Sequence, residues 1–155
     1  MMSAVRTILL AEDNANDVEL TLAALRNNRL ANRVAVVRDG AEALDYLYRR
    51  GEYAGRSDEQ PAIILLDLKM PRVDGIEVLR QVKADEALKA IPIVMLTSSR
   101  EEQDLLQTYD LGVNAYVVKP VGFAEFMEAV KVLGQFWAVL NEPPPRGGDE
   151  HDRQR

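Results

Sequence analysis

Residues 63 to 66, Ile63-Ile64-Leu65-Leu66, form an apolar run with no polar residue interleaved. A strand carries such a run when helices cover both of its faces, which points to the centre of a parallel sheet. Other short apolar runs recur along the chain and alternate with amphipathic stretches, the pattern of a repeated βα unit. Five pairs can be placed, with strands over 6–11, 34–37, 62–66, 93–96 and 115–118. Asn16 with Glu19, Asp39 with Glu42, Asp74 with Glu77 and Ser99 with Glu102 each have the spacing of a capping box at a helix start. Behind these caps Val18, Leu22 and Leu25, then Ala43, Leu44 and Leu47, then Ile76, Leu79 and Val82 recur at helical spacing and should face inward. The second helix should end around Gly51 and the fourth near Gly112, and a last helix is expected over about 123–140.

The 155 residues are enough for one domain with a substantial core. Residues 51–60 read as a polar loop with no chemistry of its own, and 143–155 as a disordered polar tail. No apolar stretch is long enough to span a bilayer, and no leader is apparent, so a cytoplasmic protein is expected. With no cysteine, and a single histidine at His151 in the tail, chemistry must rest on carboxylates, hydroxyls and amines. The net charge of −6 and the lack of a Lys/Arg cluster argue against nucleic acid as a partner.

Ligands of open parallel sheets bind beyond the carboxyl ends of the strands. Glu12, Asp13, Asp67, Thr97 and Lys119 all fall there. Three carboxylates drawn together repel one another, and Lys119 alone leaves negative charge over. Hard oxygen ligands suit Mg2+, which takes one or two carboxylates and keeps positions for water and a phosphate oxygen. A metal, a lysine and the Thr97 hydroxyl supply what phosphoryl transfer needs, and Asp67 can be the nucleophile.

The motifs LLAEDN at 9–14, IILLDLKMPRVDG at 63–75, VMLTS at 94–98 and AYVVKP at 115–120 together resemble the receiver domain of two-component response regulators over residues 6 to 140. The resemblance implies a flavodoxin/CheY-like α/β fold, a doubly wound five-stranded parallel sheet of order 2-1-3-4-5 with five helices, over residues 1–142. It makes Asp67 the phosphoacceptor. Asp13 and Asp67 would bind the metal, with Glu12 acting directly or through water and Lys69 giving its backbone carbonyl. Thr97 would bond a phosphoryl oxygen, Lys119 would pair with the phosphoryl charge next to a cis bond to Pro120, and Tyr116 would be the aromatic that turns inward. Lys69 and Ser99 would flank the path of attacking water.

In the last helix Phe126, Val130, Leu133 and Trp137 form one stripe, and Ala129, Val132, Phe136, Val139 and Leu140 widen it. The second row is either a partner surface or the edge of one wide core face. The Phe136-Trp137 pair and the long loop before the third strand are similar to stand-alone response regulators that work with bacterial phytochrome kinases. That resemblance implies a sensor histidine kinase as donor and a homodimer through the fourth helix, fifth strand and fifth helix. The segment beyond Leu140 is too short and polar for an effector domain, so output is expected by contact. Two other functions compete with phosphoryl acceptance: a dimeric adaptor independent of phosphorylation, and a haloacid-dehalogenase-type phosphatase. The latter family expects an acid two residues after its nucleophile, where this chain has Lys69.

Overall fold

The computed structural model describes residues 7–26, 33–107, 111–113 and 115–134. Five parallel strands, β1 (Thr7–Ala11), β2 (Arg33–Val37), β3 (Ile63–Asp67), β4 (Ile93–Thr97) and β5 (Tyr116–Val118), lie in the order β2-β1-β3-β4-β5. This is the expected order. Five helices connect or flank them: α1 (Ala15–Arg26), α2 (Gly40–Tyr48), α3 (Gly75–Ala84), α4 (Arg100–Gln107) and α5 (Phe123–Val132). Every residue of β1, β3 and β4 is buried, as the unbroken apolar runs require.

Alternate strand residues point to opposite faces of the sheet. Leu9, Ala11, Ile64, Leu66 and Met95 pack with Leu44, Leu47, Val78, Leu79, Val82 and Leu106 of α2, α3 and α4. Ile8, Leu10, Ile63, Leu65, Val94 and Leu96 face the other way, onto Val18, Leu22 and Leu25 of α1 and Phe126 and Val130 of α5. Each such leucine or isoleucine contributes about 1.5–3 kcal/mol on transfer from water, so the two clusters hold the helices to the sheet. No helix among the described residues is long and apolar enough to cross a membrane.

The local signals mostly hold. Asp39 Oδ1 accepts the Glu42 N–H at 2.8 Å, and Asp74 Oδ1 accepts the Glu77 N–H at 2.9 Å. Ser99 Oγ accepts the Glu102 N–H at 3.1 Å. The first cap differs: Asn14, and not Asn16, starts α1, its Oδ1 accepting the Asp17 N–H at 2.9 Å. The reason lies just before it, where the Glu12 carboxylate accepts the Asn14 N–H at 3.1 Å and fixes Asn14 as the last non-helical residue. In α3, Val78 is buried alongside Leu79 and Val82, while Ile76 is only half-buried at the rim.

The loop 51–60 is more than a solvated connection. It opens with a 3₁₀ turn, Gly51–Tyr53, and tucks Arg56 over the Tyr46 ring at 4.0 Å from its centroid. Arg56 donates to the Tyr46 carbonyl, and Gln60 Nε2 donates to the Leu47 carbonyl at 2.8 Å. Both carbonyls lie in the last turn of α2, so the loop is tied to the end of that helix. In α5, Ala129 joins the core face whereas Val132 is 59% exposed. Phe136, Trp137, Val139 and Leu140 of the expected stripe, and the tail 143–155, lie outside the described residues.

Candidate functional site

Register gathers the polar residues. Ala11 pairs with Leu66, Asp67 with Leu96, and Thr97 with Val118, so Glu12, Asp67, Thr97 and Lys119 end four adjacent strands at one edge. Three ladder-type hydrogen bonds carry the backbone order past the strand ends: Glu12 N–H to the Val37 carbonyl, Leu68 N–H to Leu96, and Lys119 N–H to Thr97. The Lys119-Pro120 peptide is cis, as expected. Gly75 lets the loop after β3 fold back beneath the strand end, since a Cβ there would lie 2.2 Å from the Asp67 carbonyl oxygen.

Around a cleft of about 200 Å3 stand Glu12, Asp13, Asp17, Asp67, Lys69 and Lys119. Carboxylate oxygens of Glu12, Asp13 and Asp67 lie within 4.8 Å of one another. Glu12 is 1% exposed and Asp67 5%, while Asp13 is open to solvent. Lys119 Nζ reaches three carboxylates: Asp17 at 3.1 Å, Asp67 at 3.2 Å and Glu12 at 3.3 Å. An ammonium has three N–H donors, so each already has an acceptor.

The charge imbalance is visible in the acids. Burial, then the Asp67 charge, pushes Glu12 up to about 7, against the pull of the Asn14 N–H and of Lys119. Burial also raises Asp67, and the nearby Lys119 ammonium offsets only part of it. Burial alone would lower Lys119, but its bond to Asp17 and the charges of Asp67 and Glu12 hold it well above the usual lysine range. Three hard oxygen donors with excess negative charge fit a divalent cation such as Mg2+ that retains water and accepts a further oxygen. Thr97 is fully buried, and its Oγ1 is a side-chain oxygen with no hydrogen-bond partner among the described residues. A buried hydroxyl left unpaired is costly, and it sits at the strand end where a phosphoryl oxygen would provide an acceptor.

Of the residues singled out in the sequence, Glu12, Asp13, Asp67, Lys69 and Lys119 share the cleft, and Thr97 lies under it on β4. Tyr116 does not line the cleft. It is half-buried against the α3–α4 side, beside a separate hollow under α4, and its hydroxyl donates to the Val113 carbonyl at 3.3 Å. Sequence reasoning missed Asp17, which is the nearest acid to Lys119. Its signal was spacing: Asp13 and Asp17 are four apart at the entry to α1, so a helix starting there turns Asp17 back toward the strand ends. Glu102, read only as a cap partner, also reaches the rim, where its Oε2 pairs with Lys69 Nζ at 3.2 Å.

Residues 8–131 match the family model described as the response regulator receiver domain. The structure resembles that of the bacteriophytochrome response regulator AtBRR, with a TM-score of 0.86 and 60% identity over 90% of this chain and 100% of that one. It also resembles the Mn(2+)-bound form of response regulator Rcp1, with a TM-score of 0.69 and 35% identity over 91% of this chain and 99% of that one. Among curated proteins, the probable methanogenesis regulatory protein FilR2 of Methanothrix harundinacea is 42% identical over 137 residues, covering 88% of this chain and 86% of that protein.

Proposed function

Because the chain belongs to the response regulator receiver domain family, we propose that it is a single-domain response regulator whose Asp67 accepts a phosphoryl group from a phosphohistidine of a partner sensor kinase. Its receiver spans 1–142, with a polar tail at 143–155, and it works in the cytoplasm. The observation that carries this reading is the Asp67 carboxylate, buried at a strand end with Lys119 at 3.2 Å and the unpartnered Thr97 hydroxyl on the next strand. In the transfer an Asp67 oxygen forms a bond to phosphorus as the donor's N–P bond breaks. The electron pair leaves on the imidazole nitrogen, which takes a proton from water. Lys119 balances the added charge, and the Thr97 O–H donates to a phosphoryl oxygen. Hydrolysis reverses the occupancy: water supplies the oxygen, inorganic phosphate leaves, and the Asp67 carboxylate is restored.

Asp13, Asp67, the Lys69 carbonyl and Glu12, directly or through water, would hold Mg2+. When bound, the metal supplies charge neutralisation for the transferring group. The 60% identity to a bacteriophytochrome response regulator supports a phytochrome-type histidine kinase as the donor. Exposed Leu105, Val118 and Val132, from α4, β5 and α5, support a homodimer through that face. Incubation with a small acyl phosphate and magnesium should add one phosphoryl group, detected by intact mass, and Asp67→Asn should abolish it. An unchanged mass for the parent protein refutes phosphoryl acceptance. Partner binding that is indifferent to Asp67→Ala would instead favour an adaptor independent of phosphorylation.

A further inference from the structure

We propose that Glu102 is a positioning residue that parks Lys69 at the rim of the cleft and yields it to a phosphoryl group on Asp67, so that occupancy of the site is passed to the start of α4.

Three observations converge on this. First, Lys119 has no free N–H: each of its three donors faces a carboxylate, from Asp17, Asp67 or Glu12. A phosphoryl group brings additional negative charge to Asp67, and the single Lys119 charge is already shared among these three acids. Second, the other ammonium lining the cleft among the described residues is Lys69, which is 80% exposed and held at 3.2 Å by Glu102. An ion pair with one partner so exposed is weak, and the flexible lysine stem can redirect its ammonium at little cost. Third, Glu102 does not float. Its side chain is only 11% exposed, accepts the Ser98 N–H at 2.8 Å and the Ser98 hydroxyl at 3.0 Å, and its own N–H is capped by Ser99. Burial opposes its ionisation, but the Ser98 bonds and Lys69 together keep its carboxyl below the usual range.

Glu102 therefore joins Lys69, two residues beyond the acceptor, to Ser98, the residue after Thr97. Departure of Lys69 toward the phosphoryl oxygens leaves Glu102 balanced by Ser98 alone. The segment Ser98–Glu102 then relaxes while Thr97 engages the new group from the same strand end. The cation transfer and the hydroxyl contact act on one turn of chain, which gives α4 a direct mechanical link to the site.

The inference rests on Asp67 being the acceptor, and its test separates the two. Beryllofluoride, a phosphoryl analogue, is titrated with magnesium into the parent protein, Glu102→Gln, Lys69→Gln and the double variant, followed by calorimetry and by amide resonances. Glutamine keeps an oxygen for the Ser98 N–H but loses the charge that holds Lys69. Glu102→Gln should bind the analogue up to about fivefold more tightly, the range set by an exposed ion pair. In the Lys69→Gln background the same change should have no effect. The analogue should shift the Ser98–Glu102 amides in the parent protein and much less in Lys69→Gln. An unchanged or weaker affinity in Glu102→Gln, or an equal change in both backgrounds, overturns the role of Glu102 while leaving Asp67 as acceptor. A parent protein that does not bind the analogue overturns both.

Discussion

Replacing Asp67 by asparagine should make the metal-free protein more stable at pH 8, although it removes the proposed phosphoacceptor. Glu12 titrates at about 7 in the fold, against 4.5 unperturbed. An acid with a raised folded pKa binds its proton more tightly in the native state, so stability falls as pH rises from 4.5 to about 7, and the penalty is complete above that. At about 1.4 kcal/mol per pH unit the Glu12 shift amounts to about 3 kcal/mol. Burial is its larger cause and the Asp67 charge the next, so roughly 1–2 kcal/mol is owed to Asp67. Asp67 is itself raised, so its ionisation opposes folding in spite of Lys119. Asparagine keeps the shape, removes the charge and leaves Lys119 with Glu12 and Asp17. In EDTA at pH 8 the urea midpoint should rise by about 0.5–1 M for a slope near 2 kcal/mol/M. The gain should shrink toward zero near pH 4.5. Saturating magnesium should then reverse the order, because only the parent protein keeps its full ligand set. A variant less stable than the parent at pH 8 in EDTA, or a gain equal at both pH values, would refute the reasoning.

Two further changes test the frame around the site. Asp39→Ala removes the cap acceptor of α2 and the partner of Arg72, which bonds both Asp39 oxygens at 2.9 and 3.0 Å. A loss of about 1–2 kcal/mol is expected at pH 7 by chemical denaturation. Burial pushes the Asp39 carboxyl up, but the Arg72 bonds and the Glu42 N–H outweigh it and hold it below the usual range. Its contribution is therefore present above the ordinary aspartate range and is lost as pH falls through the lowered value, so the two proteins should converge in acid. Gly75→Ala places a Cβ 2.2 Å from the Asp67 carbonyl oxygen and 3.0 Å from Leu68 Cα, both backbone atoms that cannot step aside. It should cost about 1–3 kcal/mol by thermal unfolding and slow phosphorylation by displacing Asp67; an unchanged melting temperature would contradict the close approach.

The parts legible in the sequence are those where one physical rule acts alone. A strand covered on both faces must be apolar throughout, so β1, β3 and β4 stand out, and their ends locate the acids. Strand order comes from the family resemblance, since spacing alone does not rank parallel neighbours. The start of α1 is ambiguous because Asn14-x-x-Asp17 and Asn16-x-x-Glu19 are the same signal shifted by two residues. The two are separated by the Glu12 bond to the Asn14 N–H, a contact between the strand end and the helix that no local pattern encodes. Loop 51–60 escapes sequence reasoning because polar composition reads as solvation. Arg56 is polar and yet packed on an aromatic ring, its charge paired with Asp58 and its other donors taken up by the Tyr46 carbonyl and Gln60.

Two costs at the site have one remedy. Glu12 is held far from its ordinary titration by burial and by Asp67. Thr97 keeps a fully buried hydroxyl without a partner among the described residues, a defect of about 1–3 kcal/mol. The Glu12 carboxylate also fixes the start of α1 through the Asn14 N–H, whereas the Thr97 hydroxyl makes no bond that the fold uses among the described residues. In the proposed function both costs would be answered by the same event, the arrival of a divalent cation with a phosphoryl group, which would neutralise the acids and give the hydroxyl an acceptor. In that reading, the stability forgone at the site would be free energy available to bias the Thr97–Glu102 segment when the site fills. Thr97→Val, which removes the unpaired hydroxyl at nearly constant volume, should stabilise the chain in chemical denaturation and weaken binding of a phosphoryl analogue.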